Sequence, residues 1–163
     1  MSIQMDPFDQ AGAVTMWGEV TSIDVTDMDG DPNLVIDPAA GFNVKVSWYV
    51  DGNAYPNYLA AEAFNWRVRI FLESLGPGTD VLIGTVNVPR AATVPAGATN
   101  PWTYEAVVNV PPAAAAALED DAMGGSGIWK VIGDVWLNSS IAGGIGDVTG
   151  FIEGPAIRVE SRA

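Results

Sequence analysis

The sequence contains no cysteine and no histidine. The first absence excludes disulfides, thiolate zinc sites and cysteine nucleophiles, and it leaves the redox compartment open. The second removes the commonest general base and the commonest transition-metal ligand, and with them any Ser-His-Asp triad. Basic residues are also scarce: 7 Lys and Arg stand against 20 Asp and Glu, for a formal net charge of −13. Such a chain repels nucleic-acid phosphates and anionic membrane surfaces, so no nucleic-acid partner is expected. No stretch is long and apolar enough to span a bilayer, so no membrane insertion is expected either. The N-terminal MSIQMDPFDQ has neither the basic flank nor the apolar centre of a signal peptide. These features fit a soluble protein, with the cytoplasm and the cell surface or extracellular space both open.

What is present is alternation. In Phe42 to Val50, FNVKVSWYV, the row Phe42, Val44, Val46, Trp48 and Val50 falls on the face opposite Asn43, Lys45, Ser47 and Tyr49. Phe64 to Leu72, FNWRVRIFL, repeats the pattern, with Phe64, Trp66, Val68, Ile70 and Leu72 opposite Asn65, Arg67, Arg69 and Phe71. Two such strands with an oily face each require a second layer to cover them. Further strands are expected over residues 13–26, broken at Gly18, over Val81 to Val88 with a bulge or close contact at Gly84, and over Trp102 to Val110. Two more are expected over Ile128 to Leu137 and over Val148 to Val159, the last interrupted at Gly154-Pro155. Turn formers separate them: Asp-Gly and Asp-Pro in residues 27–33, Asp51-Gly52-Asn53, and Gly76-Pro77-Gly78. Pro111 to Asp121 is the one helical candidate, too short to stand without the sheets.

About seven strands with one helical corner predict an all-β fold, a two-layer antiparallel β-sandwich. Residues 1–12 read as an arm and residues 13–163 as a single domain. The order of long strands and the helical corner before Ile128 to Leu137 resemble an immunoglobulin-like sandwich in architecture alone. The paired cysteines of antibody domains are absent, and no tyrosine stands at the expected place in GSGIWK. A jelly roll is the structural alternative.

The acidic loop carries the candidate metal ligands Asp24, Asp27, Asp29, Asp31 and Asp37, hard oxygen donors of the kind that hold Ca²⁺. Its start resembles an EF-hand loop, but Pro32 and Pro38 stand where glycine and glutamate belong. The competing reading is a solvated turn whose Asp side chains bond their own backbone. A second acidic cluster, Glu119-Asp120-Asp121, follows the alanine run and opposes the helix dipole. Tyr49, Tyr55, Tyr58 and Trp102 are the candidate ligand or interface residues: planar rings, some beside Asn53 and Asn57, suit a protein interface or a glycan. Loop tyrosines packed over a sheet edge are the alternative. Phe71, Val107 and either Trp102 or Trp129 are expected to form a second apolar patch.

Enzymatic motifs are weak. Gly124-Gly125-Ser126-Gly127 is not a nucleophile elbow, and Gly144-Ile145-Gly146 does not precede a helix. The expectation is therefore a non-catalytic structural or interaction protein without a resident cofactor. It acts through protein–protein contacts, including self-assembly into a homo-oligomer, because little edge charge protects its strands. The alternatives are a carbohydrate-binding module, Ca²⁺-assisted, and a carboxylate-dependent hydrolase.

Overall fold

Inward rows of valine, isoleucine and tryptophan decide the architecture. The structure, a computed structural model, describes residues 3–4, 17–52, 65–90, 101–119, 127–138 and 148–161. Within these the chain forms β1 (Ile3–Gln4), β2 (Trp17–Thr26), β3 (Val35–Ile36), β4 (Phe42–Asp51), β5 (Trp66–Ser74), β6 (Val81–Val88), β7 (Trp102–Val110), α1 (Pro112–Ala116), β8 (Ile128–Leu137) and β9 (Val148–Val159). The fold is all-β. A four-stranded sheet has the order β1-β2-β4-β7, and a five-stranded sheet has the order β3-β9-β8-β5-β6. Every neighbouring pair is antiparallel except β3, which runs parallel to β9. The nine strands exceed the seven expected because β1 and β3 are two-residue pieces that pattern alone does not reveal. Ile3–Gln4, the part of the expected arm that is described, pairs with Val20 and Glu19 of β2.

The alternating rows meet between the sheets. Phe42, Val44, Val46, Trp48 and Val50 of β4 are all buried, as are Trp66, Val68, Ile70 and Leu72 of β5. Trp129, Val131, Val135 and Leu137 of β8 join them from the five-stranded sheet, and Tyr104, Ala106, Val108 and Val110 of β7 from the four-stranded one. Each valine, leucine, isoleucine or phenylalanine among them contributes about 1.5–3 kcal/mol by leaving water, which is why the period of two outranks individual propensities here.

In three strands the phase of that period changes, and each change is a bulge. In β6 the partners Ile70↔Gly84 and Phe71↔Leu82 leave Ile83 as the extra residue, and Val81, Ile83 and Val86 all pack against the core. In β2 both Val20 and Ile23 are buried, although three residues apart they would fall on opposite faces of a regular strand. The register moves from Val20↔Trp48 to Ser22↔Ser47, so Thr21 is the extra residue, and its Oγ1 donates to the Ser47 carbonyl at 3.1 Å. The break expected at Gly18 therefore lies three residues later. Gly18 keeps its pairing with Val50. In β9 Ile152 and Ile157 are both buried across an odd spacing. The partners Ile132↔Glu153 and Lys130↔Ala156 show that Gly154-Pro155 absorbs the extra residue. The strand bends there without ending.

Glycines set how closely the two sheets approach at their margins. At Gly84 of β6 a Cβ would stand 2.2 Å from Val108 Cγ1, and at Gly154 of β9 one would stand 2.7 Å from Ile23 Cγ2. One glycine thus lies at each lateral seam, β6 against β7 and β9 against β2. The close contact expected at Gly84 is present, together with a register shift opposite Ile70/Phe71.

The helix is shorter than expected and covers only Pro112–Ala116, with Ala115 buried. Leu118 just beyond it is also buried, and its carbonyl accepts a 2.8 Å hydrogen bond from Trp129 Nε1. Trp129 therefore belongs to the core and ties the helical corner to the start of β8. The expected second apolar patch does not form, because Phe71 and Val107 lie on different sheets and Trp129 is buried.

Candidate functional site

Among the described residues no three acidic side chains gather as a metal-binding group. Asp27 Oδ1 accepts the backbone N–H groups of Asp29 and Asp31, both at 3.0 Å, and Asp37 Oδ1 accepts that of Ala39 at 2.9 Å. These are the bonds of Asx turns, in which a short carboxylate stands in for a backbone acceptor. Gly30, at φ 95°, closes the turn. Asp24 projects from β2 and accepts from Ser22 Oγ at 3.1 Å. Glu119 Oε1 accepts from the Ser161 backbone N–H at 2.8 Å and so links the helical corner to the residues after β9. Asp120, Asp121, Tyr55, Tyr58, Phe64, the 124–126 glycine-serine run and the 144–146 glycine turn lie outside the described residues.

Tyr49 and Trp102 sit one rung apart in the β4–β7 pair, yet on opposite faces: Trp102 opposes the buried Val50, whereas Tyr49 opposes Thr103. Trp102 packs against the core. Tyr49 stands on the outer face, where its hydroxyl donates to Glu19 Oε2 at 3.1 Å. Burial raises the Tyr49 pKa above its ordinary 10.0, and the hydrogen bond to Glu19 and the charges of Glu19 and Asp51 raise it further. The folded state therefore holds this proton more tightly than the unfolded chain. The stabilisation is fully present below the free tyrosine pKa and is lost as pH rises through the raised one. Tyr49→Phe is expected to flatten the fall in urea midpoint above about pH 10. A variant that declines as steeply as the wild type would show that another group sets the alkaline limit.

Elsewhere this outer face carries polar pairs beside the exposed Val107 and Trp17. Lys45 pairs with Glu105 at 3.5 Å, and Asn109 Nδ2 donates to Asn43 Oδ1 at 3.0 Å. The outer face of the five-stranded sheet differs. Its register sets Asn87, Arg67, Trp136 and Thr149 on one rung, and Thr85, Arg69, Asp134 and Phe151 on the next. Arg67 lies over the Trp136 ring at 4.2 Å, and Arg69 lies over Phe71 at 5.4 Å while donating through Nε to Asp134 Oδ2 at 2.8 Å. Leu82 and Phe151 on this face are each about half exposed, at 51% and 50%. Alternation placed Arg67 and Arg69 on a wetter face, but their partners on β6 and β8 are distant in sequence and carried no local signal.

The sheet margins are as distinctive as the faces. β6 and β7 are each bonded on one side only among the described residues. β6, VLIGTVNV, contains no charged residue and no proline. The opposite margin is better defended: β9 carries Glu153, Pro155 and Arg158, and β3 pairs with its final residues. No helix among the described residues is long and apolar enough to cross a membrane. No family model, curated protein or solved structure matches this chain.

Proposed function

We propose that this chain is a non-catalytic β-sandwich module that works through protein–protein contacts and associates with copies of itself along β6. The observation that carries the reading is the composition of that margin. An edge strand presents a row of open N–H and C=O groups, and proteins that stay single normally guard such a row with lysine, proline or a covering segment. β6 has no charged side chain or proline over Val81–Val88, and Leu82 is exposed beside it. Its Gly84–Val88 stretch keeps a regular register with β5, so its outer side is straight enough to pair. Two copies meeting there, antiparallel and related by a two-fold axis, would place no like charges opposite each other within the joined strands.

The strand order supports an immunoglobulin-like reading of the sandwich. Taken as A, B and E, the strands β2, β4 and β7 form one sheet; taken as G, F, C and C′, the strands β9, β8, β5 and β6 form the other. Trp129 at the start of β8, bonded to the Leu118 carbonyl in the preceding corner, occupies the role a corner tyrosine has in that architecture. Such sandwiches serve many functions, so the edge carries the argument and the fold does not.

Light scattering on a size-exclusion column tests the proposal. The wild type is expected to gain mass with concentration, and more so in high salt, because copies of charge −13 repel through water until ions screen them. Combining Leu82→Lys with Thr85→Lys puts edge charges on two exposed positions and should leave a monomer at every concentration. A wild type that stays monomeric in concentrated, high-salt solution would refute self-association.

A further inference from the structure

In a chain so rich in carboxylates, a cation without one is conspicuous. Lys45, Arg69, Lys130 and Arg158 each pair with an acidic side chain. Arg67 pairs with none among the described residues and instead lies over the Trp136 ring at 4.2 Å. Beside it opens a hollow of ≈ 340 Å³ lined by Asn65, Arg67, Asn87, Trp136 and Asn138. Asn65 immediately precedes β5, Asn87 is in β6 and Asn138 immediately follows β8, so three strands bring three carboxamides to one end of the sheet around a single guanidinium.

The chemistry of that set is selective. A guanidinium held by an indole face keeps its planar fork oriented, and it meets a carboxylate through two parallel hydrogen bonds. Carboxamides both donate and accept, which suits hydroxyl groups, and no acidic side chain among the described residues pairs with Arg67. The neighbouring Arg69 is already neutralised by Asp134, so the described residues of the hollow offer close to one positive charge. A phosphate monoester would bring nearly two negative charges and set the surplus beside Asp134. The volume falls within the range of small-molecule sites. We propose that this end of the five-stranded sheet binds a hydroxylated monocarboxylate of the sugar-acid class, with Arg67 taking the carboxylate and Asn65, Asn87 and Asn138 taking the hydroxyls. This site takes Asn87 from the outer face of β6, not from the open edge used for association, and the two proposals are read by different measurements, so either can fail without the other.

Titrating ¹⁵N-labelled full-length protein with sodium glucuronate at constant ionic strength tests it. Saturable shifts are expected at the Arg67 Nε–H and at the Trp136 indole N–H, the latter assigned with Trp136→Phe. Methyl glucoside, which lacks the carboxylate, and glucose 6-phosphate should each bind at least about tenfold more weakly, as should glucuronate to Arg67→Gln, the loss corresponding to one charge-assisted hydrogen-bonded pair. A disaccharide joining glucuronate to a neutral sugar distinguishes the source: tighter binding marks a glycan residue, and equal binding marks the free acid. Absence of saturable shifts with glucuronate would overturn the site, as would equal binding of methyl glucoside. The sugar comparison holds even if a substitution disturbs folding.

Discussion

Replacing Trp66 by alanine is expected to lower stability by about 3–5 kcal/mol. That is a large part of the roughly 5–15 kcal/mol available to a domain. Trp48 and Tyr104 are register partners on the four-stranded sheet and stack at 5.4 Å with an interplanar angle of 11°. Trp66 reaches them from the five-stranded sheet, edge-on to Trp48 at 5.8 Å and tilted to Tyr104 at 5.5 Å. This three-ring contact spans the gap between layers, and all three rings are at most 2% exposed. A truncated Trp66 leaves a cavity whose walls are held by two different sheets and cannot collapse far. Urea unfolding followed by circular dichroism measures the loss. Trp66→Phe should cost much less, because Trp66 Nε1 has no hydrogen-bond partner among the described residues and its removal leaves no acceptor stranded. If Trp66→Ala lost under about 1 kcal/mol, the inter-sheet cluster would not be a principal support of the fold.

The second large effect is expected at Gly41, the residue before β4. Its φ is 77°, and a Cβ there would stand 2.5 Å from the Val110 carbonyl oxygen and 3.2 Å from the Pro112 nitrogen. Gly41→Ala therefore combines left-handed strain with a backbone collision at the joint between β7 and α1. The sum is about 2–5 kcal/mol. Gly30 is the internal control: its φ is 95°, but nothing lies within 4 Å of its would-be Cβ. Gly30→Ala should cost only the conformational part, about 1–2 kcal/mol. Equal losses at the two positions would show that the Val110 contact relaxes freely.

The two positions differ in how far the sequence announces them. Gly30 follows Asp29 in an evident turn, and its conformation is a local matter. Gly41 is required by a carbonyl on β7, a strand far along the chain, and nothing in its neighbours predicts that. The candidate site divides in the same way. Alternation put Arg67 and Arg69 on the face opposite Trp66 and Val68, but nothing in the sequence singled them out. That Arg67 meets Trp136 and three asparagines depends on β5 lying between β6 and β8. The aspartates of the 24–37 loop were the more conspicuous group in sequence, yet Asp27 and Asp37 spend carboxylate oxygens on their own backbone.

From the chain alone came the all-β class, the inward rows of β4, β5, β7 and β8, and the loss of cysteine and histidine chemistry. Each of these follows from side-chain identity or from a period of two, which any short window contains. Tertiary structure decided the strand neighbours, the bulge at Thr21, and which margins stay open, whereas Gly84 and Gly154-Pro155 marked the other two irregularities in the chain itself. A bulge moves a strand's later residues to the other face, and at Thr21, where no glycine or proline marks it, the burial gained against a distant partner selects its position. For the same reason Val81–Val88 could be read as a strand from its residues, whereas its place at the edge depended on which strands had already claimed β5.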